Sequence, residues 1–275
     1  MAIYPSAVDR RNESSKTVVD IDSWRINVPD QSTLIDRILC DVRARQSSTV
    51  FTINLDHLAK LRHDRPFREA YGRARYVTAD GMPVVLLARA EGAAIERVTG
   101  ADLIEPLCRV AATARVPVYF FGTETTILDV AIDRLRRKFP DLIVAGADAP
   151  AMGFDPPGPA AAEAARRIAE SGAGICFVAL GAPKQELFAD FAAAQTRGVT
   201  WLGIGASLDF IAGARRRAPR VFQVTGLEWF WRAAQEPRRL VPRYVDSALW
   251  LLRHLIGLAI VGHRPVSDEG RHHHV

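Results

Sequence analysis

The sequence predicts an α/β protein built on a mostly parallel sheet with helices on both faces, followed by a basic, amphipathic helical C-terminal segment. Three observations carry this reading. Short apolar runs alternate with helical patterns of roughly ten to fifteen residues, the rhythm of strand, crossover helix and strand. The apolar runs are continuous rather than alternating with polar residues, as in strands covered on both sides. The 275 residues are 48% hydrophobic, enough for a substantial core, which excludes disordered and collagen-like chains.

Residues 1–16 form a polar leader, expected to be disordered, that carries Arg10 and Arg11 and lacks the apolar run of a secretory signal. Two short strands follow over 17–22 and 24–28, then a helix over 30–42 with apolar spacing through Leu34, Ile38, Leu39 and Val42. Residues 48–54 read as a buried strand, 55–71 as one helix and 75–79 as a second short strand. Helices are expected over 82–91 and 101–115. Residues 116–121 form a strand ending at Gly122, and 125–139 a helix closed by Pro140. A strand over 142–145 precedes a Gly- and Pro-rich loop from Ala149 to Pro159. An Ala-rich helix, a strand over 175–180, a helix over 184–194 and a strand over 199–204 complete the pattern. Five or six strands joined in this way make a Rossmann-like sheet, and the α/β domain is placed at 17–212.

A change of character falls at Gly213. Residues 213–264 hold ten arginines and three acids, Glu228, Glu236 and Asp246, a balance of +7 against +5 for the whole chain, so the remainder sums to −2. This segment also carries Trp229, Trp231 and Trp250 of the chain's five tryptophans. Arginine and tryptophan on amphipathic helices suit an anionic, partly apolar surface, or a helical appendage whose tryptophans pack on the domain. The same face is compatible with packing on a second copy of the chain, so a homo-oligomer stays open. The apolar stretch from Ala248 to Gly262 is cut by Arg253 and His254 and falls short of the ~20 residues of a membrane span. Residues 265–275 read as a flexible tail. Cys40, Cys108 and Cys176 show no CxxC pairing, which fits a reducing, cytoplasmic compartment.

In an open parallel sheet, ligands bind at the carboxyl ends of the strands. Asp80 is the candidate general base: it ends a strand, is followed by Gly81 for a tight turn, and precedes a helix whose N-terminus favours a carboxylate. An N-cap role suits the same position. Thr52 and Asn54 alternate on one strand, so both face one side, placed to bond a sugar or a base or to cap the next helix. Arg97 precedes a helix start, placed to grip phosphate or to pair with Glu96 or Asp102. Gly181-Ala-Pro-Lys-Gln-Glu186 makes a sharp strand-to-helix connection that sets Lys184, Gln185 and Glu186 in the first helical turn as substrate-binding candidates, with polar side chains placed to face outward to a ligand. A plain helix start, with Glu186 set favourably against the dipole, suits the same residues.

Competing signatures are weak. Gly203-Ile-Gly205 lacks the third glycine of a dinucleotide fingerprint, and no P-loop, GxSxG elbow or HExxH is present. Asp20-Ile-Asp22 has the spacing of a metal-chelating DxD, yet alternating strand carboxylates commonly line a solvated face, so no metal and no cofactor are expected. His272, His273 and His274 sit in the tail and are not read as a metal site. Without a recognised nucleic-acid fold, the basic segment gives no nucleic-acid partner.

At these same residues the sequence resembles the WecG/TagA/CpsF family of bacterial glycosyltransferases. The matching elements are Thr52-Ile-Asn54, Ala79-Asp-Gly-Met-Pro83, Arg97-Val-Thr-Gly-Ala-Asp102, Phe120-Phe-Gly122, Ala179-Leu-Gly-Ala-Pro-Lys-Gln-Glu186, the run from Gly203 to Gly213, Arg217-Ala-Pro219, and Gly226-Leu-Glu-Trp229 through Gln235-Glu-Pro-Arg-Arg239. They keep family order across about residues 48 to 243. Ala151-Met-Gly-Phe154 departs from the pattern, since members usually show histidine or tyrosine beside the Gly-Phe.

The resemblance implies transfer of a sugar from a UDP-sugar to a polyprenyl-diphosphate-linked sugar, with inversion and without a required metal. The enzyme would sit in the cytoplasm, peripheral on the inner membrane, with 17–212 as the catalytic domain. Asp80 would take the acceptor hydroxyl proton, Thr52 and Asn54 would contact sugar, Arg97 would bind phosphate or help fix the site, and Gln185 would position the donor. Arg232, Arg239 and Arg243 would reach the diphosphate and lipid headgroups. The alternative from another class is a non-catalytic nucleotide-binding regulatory or scaffold protein at the membrane.

Overall fold

The computed structural model describes residues 17–225 and 227–262, apart from the side chains of residues 223, 224, 232, 239 and 257–262. The leader 1–16 and tail 265–275 lie outside the described residues. The chain opens with an antiparallel hairpin, β1 (Val19–Ile21) and β2 (Trp24–Ile26). Asp22 and Ser23 form its two-residue loop with φ of 51° and 70°, the left-handed pair of a type I′ turn. Asp22 therefore sits in the turn, not on a strand alternating with Asp20. The two carboxylates also engage different partners, Asp20 with Arg25 at 3.2 Å and Asp22 with Arg62 at 3.1 Å.

Helix α1 (Gln31–Arg43) is capped by Asp30, whose carboxylate accepts the Thr33 N–H at 2.8 Å. Then come β3 (Ser48–Ile53), α2 (Leu55–Leu61), α3 (Arg65–Arg73), β4 (Tyr76–Ala79), α4 (Met82–Ala90) and α5 (Gly100–Ala114). The single helix expected over 55–71 is two helices. Asp64 caps α3 by accepting the Phe67 N–H at 3.0 Å, and Pro66 in the first turn of α3 offers no N–H to a continuing helix.

The second half runs β5 (Val118–Gly122), α6 (Thr125–Lys138), β6 (Val144–Asp148), α7 (Pro159–Glu170), β7 (Ile175–Ala179), α8 (Lys184–Gln195), β8 (Thr200–Gly203) and α9 (Ser207–Ala212). Strand β6 lies three residues beyond the end expected from its apolar run, because Val118 and Tyr119 to Phe121 take Val144 and Gly146 to Asp148 as partners. Gly146 is required there, since the Tyr119 ring occupies the space of a β-carbon. Helices α10 (Arg220–Val224), α11 (Glu228–Gln235) and α12 (Pro237–Gly262) follow.

The main sheet has six strands in the order β4-β3-β8-β7-β5-β6, all neighbours parallel. Successive side chains leave the strands on opposite faces. On β5, Tyr119 and Phe121 join one core with Phe51, Phe67, Phe188 and Trp201, covered by α2, α3, α4, α7 and α8. Val118 and Phe120 join the other with Leu103, Phe177 and Leu202, covered by α1, α5, α6 and α9. The rings interlock: Phe121 stacks on Phe188 at 4.6 Å on one face, and Phe120 on Phe177 at 5.2 Å on the other.

Helix α12 is split lengthwise. Leu240, Ser247 and Trp250 are buried, and Trp250 belongs to the first core, with its indole N–H on Asp22 at 3.1 Å. On the opposite side Val241, Val245, Leu249, Leu252, Leu255 and Ile256 are exposed at the three- and four-residue spacing of one helix face. Trp229 and Phe230 of α11 are exposed as well. Among the described residues, no helix is long and apolar enough to cross a membrane.

Candidate active site

The β3 and β4 exits lie side by side, with Thr52 opposite Thr78 and Ile53 opposite Ala79. One residue further, the Asp80 N–H donates to the Ile53 carbonyl at 2.8 Å, and the Thr52 hydroxyl lies 3.4 Å from Asp80 Oδ2. Gly81 turns with φ 96°, in the region that favours glycine, and sends the chain directly into α4. Asp80 is thus held by backbone on one strand edge while its carboxylate stands at a helix N-terminus, where the aligned peptide dipoles favour negative charge. Asn54, expected on the same strand as Thr52, instead follows the last residue of β3 as the N-cap of α2, accepting the His57 N–H at 3.0 Å. Its capping oxygen is thereby used, while its amide nitrogen finds no acceptor among the described residues.

Arg97 arrives from the α4–α5 connection, which runs along the outer edge of β4. Arg97 bridges to Ala79, the Val98 N–H donates to the Ala79 carbonyl at 2.9 Å, and the Thr78 hydroxyl donates to the Val98 carbonyl at 2.9 Å. The Arg97 guanidinium is paired: Asp102 lies 3.0 Å from it and Glu228 3.9 Å. Asp102 also takes Arg217 at 2.6 Å and the Thr99 hydroxyl at 2.9 Å. One carboxylate in the first turn of α5 therefore orients two guanidiniums, and α11 closes the cluster through Glu228. A groove of about 520 Å³ running between α5, α6 and α9 shares Asp102 and Arg217 with this cluster.

The Gly181–Glu186 turn behaves differently from a row of outward polar groups. Lys184 is exposed, whereas Gln185 and Glu186 are 4% and 0% exposed. The Gln185 side-chain carbonyl accepts the Gly205 N–H at 2.9 Å, and its amide donates to Glu186 Oε1 at 2.8 Å. Gln185 thus clamps the loop after β8 to the start of α8. Burial pushes the Glu186 carboxyl up to about 7, and its second oxygen has no hydrogen-bond partner among the described residues.

Of the C-terminal arginines, the Arg232 and Arg239 side chains lie outside those described. Arg243 reaches back to α2, its Nε 3.1 Å from Asp56 Oδ1, and Lys60 shares that carboxylate. Burial works against the ionised Asp56, but the hydrogen bonds from Arg243 and Lys60 outweigh it and hold the carboxyl down at about 2. Asp56 stands two positions after Asn54, so α12 is anchored beside the β3 exit. The structure therefore gathers Thr52, Asn54, Asp80 and Arg97 at one end of the sheet and brings Arg243 to its rim. It sets Gln185 and Glu186 beneath the neighbouring loop. Arg217 and Glu228 join the cluster without having been singled out as site residues. Arg217 stands in one of the matched motifs, but its approach to Asp102 spans 115 positions, and no local pattern reveals it.

An open parallel sheet with a carboxylate, hydroxyls, arginines and helix N-termini converging beyond its strand ends defines a ligand-binding α/β enzyme. Residues 19–262 match the model of the Glycosyl transferase WecG/TagA/CpsF family. The chain belongs to this family and is a glycosyltransferase.

Proposed function

We propose that this glycosyltransferase moves a sugar from a UDP-sugar to a sugar carried on a polyprenyl diphosphate, with inversion at the transferred carbon and without a metal. Asp80 is the observation that carries this reading: a carboxylate fixed at the strand exit, touched by Thr52 and set at a helix N-terminus, is placed to take the acceptor hydroxyl proton. As that proton moves to Asp80, the acceptor oxygen bonds the sugar's anomeric carbon and the bond to the UDP oxygen breaks. The leaving diphosphate needs positive charge. Arg97 and Arg217, already oriented by Asp102, supply it at one side, and Arg243, with Arg232 and Arg239, from the C-terminal helices. The Asn54 amide and the Thr52 hydroxyl meet sugar hydroxyls, and the Gln185 clamp shapes the loop against which the donor lies. The appendage of residues 213–264 holds the enzyme at an anionic bilayer through the exposed face of α12, on the cytoplasmic side where nucleotide sugars are made.

The test is a panel of UDP-sugars against a short-chain lipid-diphosphate sugar, with the product identified by mass. With the active donor, Asp80→Asn is expected to lower kcat at least 100-fold while UDP affinity by calorimetry stays within about twofold. A variant with full turnover removes Asp80 from the role of base. Nucleotide binding without turnover by the unaltered protein across the panel favours a non-catalytic scaffold.

A further inference from the structure

Beneath the β3 exit, on the face opposite the Thr52 side chain, lies a buried polar pair that the proposed chemistry does not use. His57 of α2 and Tyr71 of α3 are 4% and 5% exposed, and His57 Nδ1 is hydrogen-bonded to the Tyr71 hydroxyl at 2.8 Å. Aromatic rings enclose the pair: Phe67 lies 4.9 Å from Tyr71 and 5.6 Å from His57, and Phe51 lies 5.1 Å from Tyr71. Burying a hydrogen-bonding imidazole and phenol in such a setting costs free energy unless each finds a partner. Here each partners the other, and the pair is turned toward the strand exit. Tyr71 lies against Phe51 of β3, and the His57 N–H, in the first turn of α2, holds Asn54 Oδ1 at 3.0 Å just beyond the strand.

That support falls where the sheet itself stops giving any on one side. Strand β8 pairs with β3 only from Ser48 to Val50, whereas β4 pairs with it through Ile53. Beyond Val50, the ladder holds one edge of β3 alone. Thr52 and Ile53 in turn hold Asp80, through the hydroxyl at 3.4 Å and the carbonyl at 2.8 Å. We infer that His57 and Tyr71 are positioning residues for the transfer reaction, fixing the end of β3 from below so that Thr52, Asn54 and Asp80 keep the geometry of proton removal. This rests on the reading of Asp80 as the base. A displacement of about 1 Å at reacting groups costs on the order of 10²-fold in rate, which sets the scale of the expected effect.

The experiment compares Tyr71→Phe, which deletes one hydroxyl, with His57→Phe, which deletes the whole polar link, and with Phe67→Leu, which loosens the same aromatic cluster but leaves the link intact. The readouts are kcat, the KM for the donor, and amide hydrogen exchange of the 50–57 segment. Tyr71→Phe is expected to lower kcat about tenfold and His57→Phe about 100-fold, with donor KM within about twofold and faster exchange at 50–57. Phe67→Leu is expected to lower the melting temperature while keeping kcat within about twofold. Equal loss of kcat in Phe67→Leu and Tyr71→Phe at matched melting temperatures overturns the positioning role, as does unchanged kcat in both polar variants. An unaltered enzyme that turns over while Asp80→Asn also turns over overturns the assignment of the base itself, a result separable from the first two.

Discussion

Glu186 and His57 are two buried titratable side chains whose effects on stability run in opposite directions. Burial raises the Glu186 carboxyl from 4.5 to about 7, so between those values the folded state binds the proton that the unfolded state has released. Stability from this group therefore falls as pH rises through that window. Burial lowers His57 from 6.5 to about 4, so the unfolded state binds more protons there, and stability from this group rises with pH over 4 to 6.5. Where the windows overlap the two slopes oppose each other. Glu186→Gln, which can still accept the Gln185 amide, is expected to be more stable than the unaltered protein at pH 8, by on the order of 1–3 kcal/mol. It should also show the uncompensated rise between pH 4 and 6.5. Urea unfolding at pH 4, 6 and 8 checks this, and parallel pH curves for the two proteins contradict it. At this scale the sequence was legible where the signal is local. Asp80 before Gly81 and a helix is such a case, and so is Asn54 as a helix cap. Pairings such as Arg217 with Asp102, or His57 with Tyr71 across the break at Asp64, exist only once separate elements are packed.

Among the elements, α5 shows how tightly the strand exits are built. A β-carbon on Gly100 would come within 2.8 Å of the Ile204 Cα, just after β8, so the helix start lies nearly against the backbone of the central strand. Gly100→Ala is expected to destabilise the protein by about 1–3 kcal/mol despite the higher helix propensity of alanine, because backbone must shift to admit the methyl group. An unchanged urea midpoint would show that the two segments are not in such contact. The rhythm of strands and helices was readable because buried strands are continuous apolar runs and the helices between them are amphipathic. The errors fell where one residue overrides the apolar pattern. Pro66 and Asp64 end the expected long helix, and Gly146, read as lying past a strand, sits inside β6 because Tyr119 needs its space. The polar loop turn at 181–186 was legible as a helix start but not as a buried clamp, since the inward turn of Gln185 depends on Gly205, twenty positions away.

For the whole molecule, the excess positive charge has an address. The segment from Gly213 to Arg264 carries +7 and the remainder −2, and the exposed apolar face of α12 belongs to that segment. Vesicles with anionic headgroups are expected to bind the protein more tightly than neutral ones. The difference should shrink as salt rises from 0.1 to 1 M and the screening length falls from ~10 to ~3 Å. Leu252→Glu, on the exposed face, is expected to weaken binding about tenfold without changing the melting temperature, as measured by co-sedimentation. Equal binding to both vesicle types would assign the basic segment to a protein partner. The alternative that the sequence left open, a helical appendage whose tryptophans pack on the domain, holds for Trp250, which completes a core that begins at Val19.

The strand order has a kinetic consequence. Strand β8 is the last of the sheet in the chain but lies between β3 and β7. Until residues 200–203 have been synthesised, β4-β3 and β7-β5-β6 are separate fragments with open inner edges, and neither can draw on the other. Assembly of the sheet is therefore a late, joining event of high contact order. During translation those two inner edges are the surfaces on which the nascent chain is most exposed to mispairing with its neighbours.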